Sequence, residues 1–162
     1  MKKAAASSAT KILSAASLQK KLARIRGQGK QIVFTNGCFD LLHAGHVRYL
    51  EQARTLGHVL VVALNSDAST RRLKGPKRPV NTLKDRQRVM AALGAVDFVT
   101  AFSEDTPLKL ILKLKPTILV KGGDWSQDLI VGGKEVLNWG GKALSLPYLA
   151  GKSTTAILKR GG

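Results

Sequence analysis

Five short β-rich runs, each followed by a stretch of helical spacing, govern what this chain can fold into. The runs are QIVFTN (31–36), HVLVVALN (58–65), AVDFVTAF (95–102), TILVK (117–121) and KALSLP (142–147). The second is apolar almost without interruption, as suits a strand covered on both faces of a parallel sheet. Between the runs, helical intervals fall within 43–56 (Val47, Leu50, Ala53), 83–93, 107–114 and 132–139, with a closing helix expected over 153–159. Leu18, Leu22 and Ile25 predict a leading helix over 18–25, ended by Gly27 and Gly29. Alternation of this kind predicts an α/β fold: a Rossmann-like open parallel five-stranded sheet with helices on both faces. Ligands then belong at the carboxyl ends of the strands, near the switch in strand order, in the loops after strands one, two, four and five. RRLKGPKRPVN (71–81), polar and holding two prolines, reads as a surface loop.

The 162 residues suit one domain. Residues 1–16 are Ala, Ser and Lys with little apolar periodicity and read as a disordered basic extension, leaving 17–162 as the domain. No apolar run approaches the roughly 20 residues that cross a bilayer, and no signal-peptide core develops. The single cysteine, Cys38, precludes an internal disulfide, so a cytoplasmic address is expected. A formal charge of +17 predicts an anionic partner, whether nucleic acid, acidic membrane or phosphorylated metabolite.

The loop after the first run, Asn36-Gly37-Cys38-Phe39-Asp40-Leu41-Leu42-His43-Ala44-Gly45-His46, sets two histidines three apart at a helix start. Unpaired N–H groups and the dipole of a helix N-terminus attract phosphate, and imidazoles add directional donors. Gly45 leaves room for a triphosphate to approach the backbone. Lys74, Lys77 and Arg78, restrained by Pro76 and Pro79, form a basic loop able to close over anionic substrates. In KGGDW (121–125), the glycines, Gly122 among them, permit backbone contact with a flat base while Asp124 and Trp125 fix the loop. Ser153, Thr154 and Thr155 of GKSTTAI (151–157) make a second helix start suited to phosphate. Nothing near Cys38 supports a nucleophile, and no Cys/His spacing suggests a structural zinc site.

The segment VFTNGCFDLLHAGHVRYLEQA resembles the signature of the cytidylyltransferase-like nucleotidyltransferases, G-x-F-D-x-x-H-x-G-H, with Gly37, Phe39, Asp40, His43, Gly45 and His46 at its fixed positions. The likeness continues through VALNSD, the basic loop, DRQR, KGGDW and GKSTTAI. Within that superfamily, TNGCFDLLHAGH, KGPKRPVN, VKGGDW and LPYLAGKSTT are most similar to the bacterial heptose 1-phosphate adenylyltransferases, often fused to a sugar kinase. With no room for a kinase in this length, the expectation is a separate heptose kinase.

The resemblance implies AMP transfer from ATP to D-glycero-β-D-manno-heptose 1-phosphate, yielding ADP-heptose and pyrophosphate for lipopolysaccharide or surface glycans. It implies Mg2+ as the companion of ATP, with no metal site of the protein's own, and a homodimer as a form such chains often take. It assigns His43, His46, Lys77 and Arg86 to catalysis, the last beside the acceptor phosphate. It puts Cys38, Phe39, Gly45, Gly122, Asp124, Trp125, Gly151, Ser153, Thr154 and Thr155 at the nucleotide, and Asp40, Lys74 and Lys121 at the acceptor. Tyr148 stands where several cytidylyltransferases carry arginine, which disfavours the alternative of cytidylyl transfer to a polyol phosphate. The rival from another class is a basic nucleic-acid-binding module. Against it, aromatics make up only 5% and no stacking or groove-reading motif occurs.

Overall fold

The computed structural model describes residues 7–147. Five strands, β1 (Ile32–Gly37), β2 (Val59–Asn65), β3 (Phe98–Phe102), β4 (Ile118–Gly122) and β5 (Lys142–Leu146), form one parallel sheet in the order β3-β2-β1-β4-β5. The order reverses between β1 and β4, so the crevice expected at that switch opens above their carboxyl ends. Among the described residues six α-helices cross between strands or lead into them: α1 (Ala15–Gly27), α2 (Ala44–Thr55), α3 (Asp67–Lys74), α4 (Leu83–Ala92), α5 (Leu108–Leu114) and α6 (Gly133–Asn138). The helix expected over 153–159 lies outside the described residues.

The apolar runs are strands because alternate residues are buried on opposite faces. Ile32, Phe34, Val61 and Ala63 pack with Leu18 and Leu22 of α1, Ile111 and Leu114 of α5 and Val136 of α6. Val33, Leu60, Val62 and Leu64 pack with Leu50 and Ala53 of α2 and Met90 and Ala91 of α4. Both sheet faces are therefore dry, which is what the second run required. No helix among the described residues is long and apolar enough to cross a membrane.

Two expectations are corrected. The stretch 71–81 is not all loop, because α3 runs through Lys74. Its start is fixed by Ser66, whose hydroxyl accepts from the Ser69 N–H at 3.1 Å, and by Asp67 in the first turn. Nor do residues 7–16 form a disordered arm. Ser8–Lys11 make a 3-10 turn, and Ile12 bridges Val99 alongside β3. Lys11 Nζ donates to the carbonyls of Leu93 (3.2 Å) and Val96 (2.7 Å), and α1 begins at Ala15.

Candidate active site

Where β1 ends, the chain makes a tight turn and enters α2 with His43 as its N-cap. The turn is held by volume as well as by hydrogen bonds. Phe39 adopts φ +42°, rare for a residue with a side chain, and its ring lies back over Gly37, where a Cβ would stand 2.9 Å from Phe39 Cε2. That ring meets the His46 imidazole edge-on at 5.2 Å, and His46 stacks on His43 with centroids 3.9 Å apart. The two imidazoles are thereby presented as one unit at the helix start.

Above the turn lies a cleft of about 510 Å³. It is walled by Cys38, Phe39 and Asp40 from the first loop, His46 from the first turn of α2, Lys74 from the end of α3, Arg78 from the loop after it, and Lys121 and Gly122 from the end of β4. Seven of the residues expected at the site thus share one cavity: Cys38, Phe39, Asp40, His46, Lys74, Lys121 and Gly122. His43 stands behind His46 in their stack, and Gly45 is buried in the first turn of α2. Neither lines the cleft itself. Lys77 is exposed on the basic loop and also stands off the wall. Asp124 and Trp125 turn outward, the indole 45% exposed, with its N–H donated to the Gly122 carbonyl at 3.0 Å and Lys121 Nζ 5.9 Å from the ring. That loop is tied to β5 by Ser145, which accepts from the Trp125 N–H and donates to the Gly123 carbonyl. Gly151, Ser153, Thr154 and Thr155 lie outside the described residues.

Two assignments change character. Asp40 was expected to meet the acceptor, but its buried carboxylate is engaged by the basic loop: it accepts from Arg78 Nε (2.6 Å), the Val80 N–H (2.9 Å) and the Asn81 N–H (3.0 Å). The Asn81 side-chain amide donates back to the Asp40 carbonyl. Arg86, expected beside the acceptor phosphate, is sealed in the interior with a side chain only 1% exposed. Its guanidinium donates to the Asn81 carbonyl (3.1 Å), the Cys38 carbonyl (2.7 Å) and Asp67 Oδ1 (2.7 Å). A planar fork with several donors can join the first loop, the start of α3 and the start of α4 in this way, and a lysine has no such geometry.

Electrostatically the cleft is primed for anions. Burial, and secondly the neighbouring His43, hold the His46 pKa at about 4, well below the ordinary 6.5, so the ring is a neutral donor at pH 7. Burial likewise lowers Lys121 from the usual lysine value; Cys38 works against this, while Lys74 adds like-charge repulsion. An arriving phosphate would relieve both groups. Asp40 goes the other way: burial raises its pKa, but the N–H groups of Asn81 and Val80 and the Arg78 guanidinium outweigh that and keep it ionised.

Sequence reasoning passed over Asn36 and Asn65, both of which line the cleft. A signal was present in each case, since each is a polar residue closing an otherwise apolar run at its carboxyl end. Asn65 is held by donation from Nδ2 to Ser69 Oγ at 3.0 Å. Tyr49, also on the wall, shares a 2.7 Å hydrogen bond with Thr35 and donates to the Val120 carbonyl, bracing α2 against β1 and β4.

Known proteins resemble this chain in sequence and fold. The family model described as cytidylyltransferase-like matches residues 34–145. The bifunctional protein HldE of Magnetococcus marinus is 55% identical over 150 residues, covering 93% of this chain and 31% of the relative. That of Coxiella burnetii is 52% identical over 149 residues, 92% of this chain and 31% of the relative. The chain spans about a third of the length of these curated relatives. Among solved structures, the lipopolysaccharide core biosynthesis protein of Thermoplasma volcanium superposes with TM-score 0.61 at 27% identity, covering 75% of this chain and 98% of its own. Pantothenate synthetase of Thermus thermophilus, at 18% identity and TM-score 0.58 over 92% of this chain and 70% of its own, shares the fold. With the model match running from the middle of β1 into β5 and enclosing every described loop of the cleft, the chain belongs to the cytidylyltransferase-like family.

Proposed function

We propose that this domain transfers AMP from ATP to D-glycero-β-D-manno-heptose 1-phosphate, forming ADP-heptose and releasing pyrophosphate. The observation that carries the reading is the gathering of the stacked His43–His46 pair, Lys74, Arg78 and Lys121 around one crevice at the β1/β4 switch. Such a set supplies what nucleotidyl transfer needs, namely alignment and stabilisation of developing charge. The acceptor phosphate, already ionised at neutral pH, attacks the α-phosphorus in line; the P–O bond to pyrophosphate breaks. His46, with His43 stacked behind it, donates hydrogen bonds to the triphosphate, and Lys74 and Lys121 hold the acceptor. Lys77 reaches the triphosphate on closure of the basic loop, a role that rests on the sequence resemblance. Gly151, Ser153, Thr154 and Thr155 are proposed as the second cradle on the sequence resemblance alone.

Mg2+ would arrive with ATP and be held mainly by phosphate oxygens and water. Among the described residues no group of three His, Cys, Asp or Glu side chains gathers to hold a metal, and Asp40 is committed to the loop. Support for the sugar-phosphate acceptor comes from the likeness to the lipopolysaccharide core biosynthesis protein. The relatives' description as bifunctional, with this chain spanning about a third of them, supports assigning one of two activities to this domain.

The deciding experiment crosses ATP, CTP and GTP with heptose 1-phosphate, glycerol 3-phosphate and ribitol 5-phosphate and measures pyrophosphate release. Turnover only with ATP and the heptose phosphate is expected. Preference for CTP with a polyol phosphate would replace this reading with the cytidylyl one.

A further inference from the structure

Charge is sharply segregated in this protein. All ten carboxylates lie within 40–105 and 124–135, so residues 1–39, 106–123 and 136–162 contain none. The described parts of these acid-free stretches are neighbours in space, since they include α1, β1, α5, β4 and β5, and β1, β4 and β5 are adjacent in the sheet. α1 and α5 end side by side: Arg26 Nη1 donates to the carbonyls of Leu114 (3.1 Å) and Lys115 (2.9 Å). The starts of β1, β4 and β5 are stitched together by Thr117, whose N–H donates to the Ile32 carbonyl and whose carbonyl accepts from the Lys142 N–H. Exposed Arg24, Lys30, Lys113, Lys115 and Lys142 therefore collect at the amino edge of the sheet. The cleft opens at the opposite edge.

Local duties account for only part of this set. Cations in the last turns of α1 and α5 complement the helix dipoles, but Lys30 and Lys142 lie outside any helix. We propose that this edge is a docking surface for an anionic lipid bilayer, holding the enzyme with its cleft facing away. Lys and Arg near such a surface are attracted additively. The exposed Leu112, between Lys109 and Lys113 on α5, offers an apolar residue to the headgroup boundary. Nucleic acid fits less well, because the nearby Trp139 is packed against the core with its N–H donated to the Pro116 carbonyl, and among the described residues no other aromatic accompanies the cations of this edge for base stacking.

The test is co-sedimentation of the full chain with phosphatidylcholine vesicles, with and without about 30% phosphatidylglycerol, at about 100 mM salt. Binding is expected only with the anionic lipid. The variant Arg24→Glu/Lys30→Glu/Lys113→Glu should bind about ten-fold or more weakly with turnover unchanged. Arg48→Glu/Lys84→Glu/Arg88→Glu, which alters net charge equally on the α2/α4 side, should bind nearly as the parent. Equal losses in both variants, or no binding to anionic vesicles, would overturn the proposal. So would tighter binding to a short DNA duplex that the first variant abolishes.

Discussion

The Asp40 carboxylate and the Arg78 guanidinium meet at 2.6 Å, with side chains 1% and 18% exposed, and so pin the basic loop to the turn that presents the histidines. Removing the acid, as in Asp40→Ala, leaves Arg78 and two backbone N–H groups without their acceptor. We expect a loss of about 2 kcal/mol in urea unfolding and a KM for ATP raised about ten-fold, with a smaller change in kcat. An unchanged KM would mean that the loop's position does not matter to nucleotide binding.

His43→Ala and His46→Ala should each lower kcat about 100-fold or more while leaving the circular dichroism spectrum intact, the range seen when preorganised stabilisers of a transition state are deleted. Turnover near that of the parent in either variant would remove the stacked pair from the chemistry.

Acidification should report on His46 directly. Its folded pKa of about 4 lies below the ordinary 6.5, so between these values the unfolded chain binds a proton that the folded chain refuses. Stability contributed in this way is whole above pH 6.5 and drains away as pH falls towards 4. Thermal melts from pH 7 down to 4.5 should therefore decline more steeply for the parent than for His46→Gln. Parallel declines would show that the ring is not held neutral.

Arg86→Lys should behave almost as badly as Arg86→Ala, because an ammonium cannot reach the Asn81 and Cys38 carbonyls and Asp67 together. A loss of about 3 kcal/mol is expected from either, with kcat/KM falling alongside. Full stability in the lysine variant would mean that charge alone suffices there.

The strands were legible because burial on both sheet faces leaves a mark that needs no tertiary knowledge: Leu60 through Leu64 can be apolar throughout only where no face meets water. The histidine loop was legible for a similar reason, its glycine, aromatic and imidazoles being dictated over a few residues. α3 was missed because it buries only Ser69 and Thr70 and so shows no apolar period, although Ser66 followed by Asp67 was a capping signal in plain view. Arg86 and Lys11 could not be read locally. Each looks like a surface cation until distant carbonyls, of Cys38 for one and of Leu93 and Val96 for the other, close around it.

Phe39 and Gly37 occupy what is in effect a single residue's worth of space, the ring of one filling the place where the other has nothing. Neither can drift alone during divergence. A methyl group at 37 pushes the ring aside and loosens the edge-on support of His46, whereas a smaller residue at 39 leaves space over 37 that a larger residue there could take up. Substitutions tolerated at these two sites should therefore come in pairs.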